Sequence, residues 1–433
     1  MKRTRLIGAA LTLMVMAAAE APRAVTGSSA DVVYEWNQIL QDTVPRPHGP
    51  LTPRFFSMTH IAMFDAINSI ERQFEPYRVN ARHWGGGSPE AAAAQAAHDV
   101  LVALNPSATA TYDEALARQL GTWRPGYIRR GTELGARVAR EVLAWRQNDG
   151  WIVSPFPPYA EPPLPGRWQP TPPNNPTATF TQLQHAMPMA LLTPTQYLPA
   201  APPSLTSDRY AADLNEVGAI GRVDSPIRTS DQTATARLWA GIATTGTGTA
   251  TNFMSVWNTI AADVARERRL SLVEAARMFV LVNVSIHDGL QGTMTSKYVY
   301  GLWRPVTAIR QADTDLNPAT TADPAWLPLL TTPPYPSYAG NMACIGASAA
   351  RALELAFGTN DIPVTATWHQ AGGLPDVLHR FDGFVQVAAE QAESRILGGI
   401  HYRFDNLAGQ EIGRSTAAYV FANYMNPRSR WDD

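Results

Sequence analysis

Ser271-Leu-Val-Glu-Ala-Ala-Arg-Met-Phe-Val-Leu-Val-Asn-Val-Ser-Ile-His-Asp-Gly-Leu-Gln-Gly292 decides the fold class. Val273, Ala276, Phe279, Val280, Asn283, Ile286 and Leu290 recur at three- and four-residue steps. On a helix they form a broad apolar stripe, wide enough to be buried against more than one neighbour. The same period recurs on both sides. Upstream it predicts helices over 52–73, 89–104, 108–120, 127–147, 207–219, 231–240 and 252–268. Downstream it predicts them over 381–395 and 406–424. Residues 339–358 are small and apolar, which suits a buried helix at close helix–helix contacts. No segment carries convincing strand alternation, and no fixed-period repeat is present. The expectation is an all-α fold of helical bundles packed round a buried core.

One stretch interrupts the helices. Residues 151–205 hold 15 prolines, a density that forbids regular helix. They also hold Trp151, Phe156, Tyr159, Trp168, Phe180 and Tyr197, and disordered segments are poor in aromatics. A long ordered Pro-rich loop over the helical body is therefore expected. The chain then divides into an N-terminal helical region over 31–150, this loop over 151–205 and a C-terminal helical region over 206–433.

Composition narrows the function. The chain has 433 residues, 45% hydrophobic and 17% charged, with 35 Lys+Arg against 37 Asp+Glu. That excludes a disordered chain and argues against nucleic acid as a partner. The single cysteine, Cys344, excludes an internal disulfide, a Cys-rich zinc site and an iron–sulfur cluster. Met1-Lys2-Arg3-Thr4-Arg5 is basic, and Leu6 to Ala19 is apolar and uncharged. Small residues follow, with cleavage sites at Ala17-Ala18-Ala19 or at Ser28-Ser29-Ala30 before Asp31. This is the layout of a secretory signal peptide over 1–30, too short to span a membrane comfortably. The mature chain is expected to be exported, periplasmic or extracellular, without an integral membrane span. A homo-oligomer is left open.

Three segments of the C-terminal half carry candidate chemistry. In Lys297-Tyr-Val-Tyr-Gly-Leu-Trp303-Arg304-Pro305 the two cations are seven apart and would share a helix face. Pro305 instead biases Arg304 out of helical geometry, to where the helix ends. Alone, the pair reads as snorkelling surface cations. In Ser394-Arg395-Ile-Leu-Gly398-Gly399-Ile-His401-Tyr-Arg-Phe-Asp405 the glycines end a helix and allow a tight turn. That turn can return His401 toward Arg395. Asp405, one turn on, can hold one imidazole nitrogen and leave the other free as nucleophile or ligand. Alone, a His four before an Asp is usually structural. In Pro333-Pro-Tyr-Pro-Ser-Tyr-Ala339-Gly340-Asn341-Met342-Ala343 a Pro-rich turn enters a helix, whose first N–H groups form an anion site. Together, three cations, a helix start and a His–Asp pair are what a tetrahedral oxyanion site needs.

Lys-x6-Arg-Pro followed by Ser-Arg-x3-Gly-x-His-x3-Asp resembles the signature of vanadium-dependent haloperoxidases and type-2 phosphatidic acid phosphatases. Asp31–Ile39, Met58–Asn68, Arg209–Gly218, Trp257–Ala262 and Gly398–Gln410 look like the bacterial haloperoxidase branch. The resemblance implies vanadate as cofactor, or phosphate in the same place, held by Lys297, Arg304, Arg395 and the 340–341 helix start. His401 would be the metal ligand or the phosphate-accepting nucleophile, with Asp405 its catalytic partner. Peroxide and halide would be the small-molecule substrates of a peroxidase, and phosphomonoesters those of a phosphatase. The family's middle motif, Pro-Ser-Gly-His or Pro-Ser-Asn-His, departs here to Ala339-Gly340-Asn341-Met342. Gly340 can still offer a backbone N–H, but Met342 cannot carry a proton. His287, next to Asp288, and His60 are the candidate stand-ins. A non-catalytic oxyanion-binding protein is the rival expectation.

Overall fold

The computed structural model describes residues 30–45, 49–81, 86–121, 125–245 and 248–428. The expected signal peptide lies outside them, apart from Ala30. Helices dominate: α1 (Asp31–Thr43), α2 (Pro53–Glu71), α3 (Pro89–Leu104), α4 (Thr109–Leu120) and α5 (Pro125–Arg146) precede the Pro-rich stretch. After it come α6 (Asp208–Ile220), α7 (Ser230–Trp239), α8 (Phe253–Glu267), α9 (Leu272–Tyr300), α10 (Pro305–Arg310) and α11 (Asn341–Phe357). A hairpin of β1 (Val364–Trp368) and β2 (Val377–Phe381) separates α11 from α12 (Phe384–Leu397) and α13 (Arg403–Asn423). The all-α expectation holds. Among the described residues no helix is long and apolar enough to cross a membrane.

The quoted stretch became the axis of the molecule. α9 runs for 29 residues and is buried on all sides from Leu272 through Tyr298, Glu274 and Arg277 aside. A helix buried all round has no solvent face to give it an amphipathic stripe. Its start is set by a capping box, with Ser271 N–H donating to the Glu274 carboxylate at 2.9 Å. Gly301 in left-handed geometry (φ 60°) stops the helix after Tyr300, eight residues beyond the Gly292 expected. α2 packs on one side of α9 and, with α3 and α5, builds the N-terminal layer. α11 and α13 pack on the other side, with α12 against α11. One buried apolar cluster runs through both layers. The small-residue helix does sit at close contacts: a Cβ at Gly409 of α13 would lie 2.1 Å from the Gly340 carbonyl oxygen. This pins the start of α11 against α13.

Two differences from the sequence expectations have simple causes. The hairpin leaves no signal in the sequence because each strand is five residues long, and β1 buries only Val364, Ala366 and Trp368. Trp368 packs edge-on against Trp239, rings 5.0 Å apart. Phe381 belongs to β2, so α12 begins three residues later than expected.

The Pro-rich segment is ordered, and polar groups on α9 hold it. Both oxygens of Asp288 accept backbone N–H groups, from Met189 (2.7 Å), Ala190 (2.7 Å) and Leu191 (2.8 Å). Gln291 donates to the Leu183 carbonyl, and Trp151 stacks on His287 at 3.8 Å. A loop without its own ladder needs such partners for its buried backbone. Replacing Asp288 by Ala leaves three buried backbone donors and the His287 Nδ1 without their partner, at about 1–3 kcal/mol each. The expected outcome is a lower denaturation midpoint and faster proteolysis within 184–205, with helical circular dichroism unchanged at low temperature.

Candidate active site

Where α9 ends, the chain does not continue as a helix to Arg304. Gly301 stops it, and Arg304 is extended (φ −83°, ψ 155°) at the start of α10, as Pro305 requires. The shared helix face is thus replaced by convergence from two elements. Lys297 Nζ and Arg304 Cζ lie 5.4 and 5.0 Å from the centroid of the Tyr335 ring. Both side chains are fully buried.

Lys297 Nζ donates to the carbonyls of Ser337 (2.7 Å) and Ala339 (2.5 Å). It therefore ties down the strap that leads into α11. Burial, with Arg304 close by, holds its pKa well below the ordinary lysine value, while Asp405 and Cys344 act the other way. Arg304 Nε donates to the Tyr335 carbonyl (2.8 Å) and Nη1 to that of Ile400 (2.8 Å). Nη1 also faces His401 Nε2 at 3.2 Å, while Nη2 is buried with no acceptor.

Arg395 lies in the last turn of α12, and its Nε and Nη1 are likewise buried without acceptors. Burial, reinforced by Arg304, lowers its pKa to about 10, while Tyr335 acts in the opposite sense. Beyond it the expected turn is present, with Gly399 at φ 76° and Ile400 N–H donating to the Arg395 carbonyl. A Cβ at Gly399 would sit 2.3 Å from the Gly221 carbonyl oxygen, so only glycine fits.

His401 follows the turn, with Nδ1 at 2.7 Å from Asp405 Oδ2. The carboxylate assigns the proton to Nδ1 and leaves the Nε2 lone pair toward Arg304. Burial, then Arg304, Lys297 and Arg395, hold the imidazole pKa well below its usual value, so the ring is neutral. Asp405 Oδ2 also accepts from Ser337 Oγ (2.6 Å) and from the Tyr402 N–H (3.2 Å). Burial raises the Asp405 pKa, opposed by Ser337, Lys297 and Arg304. Ser337 carried no signal in the sequence, because its role exists only once the strap is folded across α13.

Two expectations need correction. Gly340 offers no N–H to a ligand: it donates to the Asp405 carbonyl at 2.8 Å. A Cβ there would also lie 2.8 Å from Asn406 Oδ1. The free first-turn donors of α11 begin at Asn341, whose side chain donates to the Tyr335 hydroxyl at 3.3 Å. The stand-in histidines are elsewhere. His287 Nδ1 is paired with Asp288 (2.8 Å) under Trp151, and His60 stacks on Phe279 and meets Asn283. Met342, by contrast, faces the same cavity as Arg395 and His401.

That cavity has a volume of about 400 Å³. Arg395, His401, Tyr335 and Asn341 form its polar end. The remaining walls are mostly apolar, among them Phe180, Trp239, Phe253, Leu290, Met342 and Ile345. Lys297 and Arg304 act on one carboxylate, Asp405, Arg304 acts on Arg395, and three guanidinium nitrogens have no acceptor. Buried unpaired donors of this kind cost free energy unless an anion meets them. The residues fit a tetrahedral oxyanion such as vanadate or phosphate, which would take over His401 Nε2 from Arg304 Nη1. No cluster of His, Cys, Asp and Glu able to hold a cation occurs among the described residues.

Comparison with known proteins agrees with this reading of the fold. The family model described as the VCPO second helical-bundle domain matches residues 277–429. The vanadium chloroperoxidase of Curvularia inaequalis is 24% identical, over 84% of this chain and 76% of that protein. The structure of a bacterial vanadium-dependent iodoperoxidase superposes with a TM-score of 0.76 at 21% identity, covering 93% of this chain and 98% of the other. A holo-type bacterial vanadium-dependent chloroperoxidase gives 0.68 at 15% identity, covering 88% and 94%. The resemblance to the haloperoxidase branch is borne out.

The orphaned donors generate a prediction. Replacing Arg395 by Met removes a buried charge and keeps the volume, so the anion-free variant is expected to melt at or above the wild-type temperature. Phosphate or vanadate at about 100 times its Kd should stabilise the wild type by roughly 2.7 kcal/mol. The variant should show almost none of that gain in thermal melts.

Proposed function

From residues 277–429, which match the VCPO second helical-bundle domain, we propose an exported haloperoxidase-like protein that binds vanadate or phosphate. The observation that carries this reading is the set of buried guanidinium N–H groups without acceptors, Arg304 Nη2 and Arg395 Nε and Nη1, beside His401. Export rests on the basic and then apolar N-terminus.

Vanadate, when bound, supplies a Lewis-acidic centre that activates peroxide toward halide. The protein's own part is to bind, orient and exclude water. Arg304 and Arg395 supply the donors that meet the anion's oxygens. Lys297 acts through the strap it holds and through its field on His401. Asp405, itself fixed by Ser337 and the Tyr402 N–H, keeps the His401 proton on Nδ1. The Nε2 lone pair is then directed into the site. Peroxide-dependent halide oxidation is the reaction this arrangement supports best.

Met342 favours a second reading, an oxyanion binder with little turnover. A thioether stands where the resembling family carries a histidine, and no other described histidine but His401 faces the cavity. Hydrolysis of a phosphomonoester through phospho-His401 needs the same proton carrier and is weakened equally.

The wild-type protein is expected to be slow in assays with vanadate, peroxide and halide, and in phosphate-ester assays. Met342→His alone is the appropriate restoration, because Gly340→Ser would press on Asn406. It should raise turnover by roughly 10²-fold or more. Full turnover in the wild type, unaltered by Met342→His, would contradict the impaired-site reading. His401→Ala should abolish tight vanadate binding in equilibrium dialysis, and unchanged affinity there would remove the anion site itself.

A further inference from the structure

A bare tetrahedral anion would use only the polar end of this cavity. The volume of about 400 Å³ falls in the range of pockets that hold small organic molecules. Thr331 apart, the remainder is built from side chains with no polar atom to offer. Trp239 has its indole N–H already donated to Glu390 at 2.9 Å, so it presents only ring surface. Phe180 is fixed between Phe156 and Tyr335, with ring centroids 5.0 and 6.4 Å away. Met342 and Ile345 project from the first turns of α11, and Phe253 from the start of α8. Met342 brings this apolar lining next to the residues that face the anion. Water against such a wall is poorly held, and an apolar group that displaces it gains affinity.

Resting on the second reading above, an oxyanion binder with little turnover, we propose that the natural occupant is an oxyanion carrying an aromatic group, in the chemical class of an arylphosphate or arylphosphonate. The anionic head meets Arg395 and His401, which line the cavity, and reaches Arg304, whose Nη1 lies 3.2 Å from His401 Nε2. The ring lies against Met342, Phe253 and Trp239. The apolar walls serve both ends of such a ligand. They cover the ring, and by excluding water they strengthen the attraction between the cations and the head. An unsubstituted oxyanion leaves the walls wet, and a neutral aromatic leaves the guanidinium N–H groups unmet.

Calorimetric titration of the purified protein with phenylphosphonate, methylphosphonate, inorganic phosphate and benzyl alcohol tests this. Phenylphosphonate is expected to bind about tenfold or more tighter than methylphosphonate, because the ring removes apolar surface from water. Phe253→Ser should lower the affinity for phenylphosphonate and leave that for methylphosphonate unchanged. Equal affinity for the two phosphonates would overturn the proposal while leaving the oxyanion site standing. Benzyl alcohol binding as tightly as phenylphosphonate would overturn it too, since recognition would then need no anion. Failure of both phosphonates, phosphate and vanadate to bind would instead overturn the oxyanion site on which the proposal rests.

Discussion

Three cationic side chains are packed into the interior of a helical protein with a single carboxylate among them. Desolvation of such charges is costly, and Asp405 can compensate only part of it. Carbonyls of the strap and of the turn after α12 take up the Lys297 donors and two of the Arg304 nitrogens. What is left over is specific: one nitrogen of Arg304 and two of Arg395, aimed where no protein acceptor stands. The rest of the site follows from this. Burial first, and then these cations, disfavour the charged form of His401. Its Nε2 accepts from Arg304 Nη1 because Asp405 holds the proton on the other nitrogen.

The fold keeps that arrangement rigid by placing it where four elements end or begin. α9 delivers Lys297, the start of α10 delivers Arg304, the end of α12 delivers Arg395, and the approach to α13 delivers His401. Each helix end is fixed by a local device rather than by the site. Gly301 stops α9, and Pro305 opens α10. Gly399 turns the chain against Gly221, and Gly409 lets α13 touch the start of α11. The Pro-rich segment is bound to the same α9 through Asp288 and Gln291 and contributes Phe180 to the cavity.

Much of this was legible from residue spacing. The buried stripe of 271–292 located the central helix, and the small residues of 339–358 located a close helix contact. The Gly-Gly pair placed His401 near Arg395, and the spacing of His401 and Asp405 forecast their hydrogen bond. The remainder depends on tertiary placement that no local pattern encodes. Gly340 seemed free to offer its N–H, but α13 brings the Asp405 carbonyl to it. Ser337 became the second partner of Asp405 only through the path of the strap. His287 looked well placed ten residues before Lys297, yet its turn of α9 faces Trp151. The hairpin and the six-residue α10 are too short to show a period.

The departure at Met342 separates two properties that a site of this kind ordinarily combines. In the function proposed here, anion binding would rest on the cations and His401, and proton transfer on a group that the Met342 thioether cannot replace. A crystal structure of the protein soaked in orthovanadate tests the central claim most directly. The expected result is density for the anion within bonding reach of His401 Nε2, with Arg304 Nη2 and Arg395 Nε and Nη1 donating to its oxygens. Density for the anion elsewhere, with Arg395 turned to a protein acceptor and only water beside His401, would contradict it.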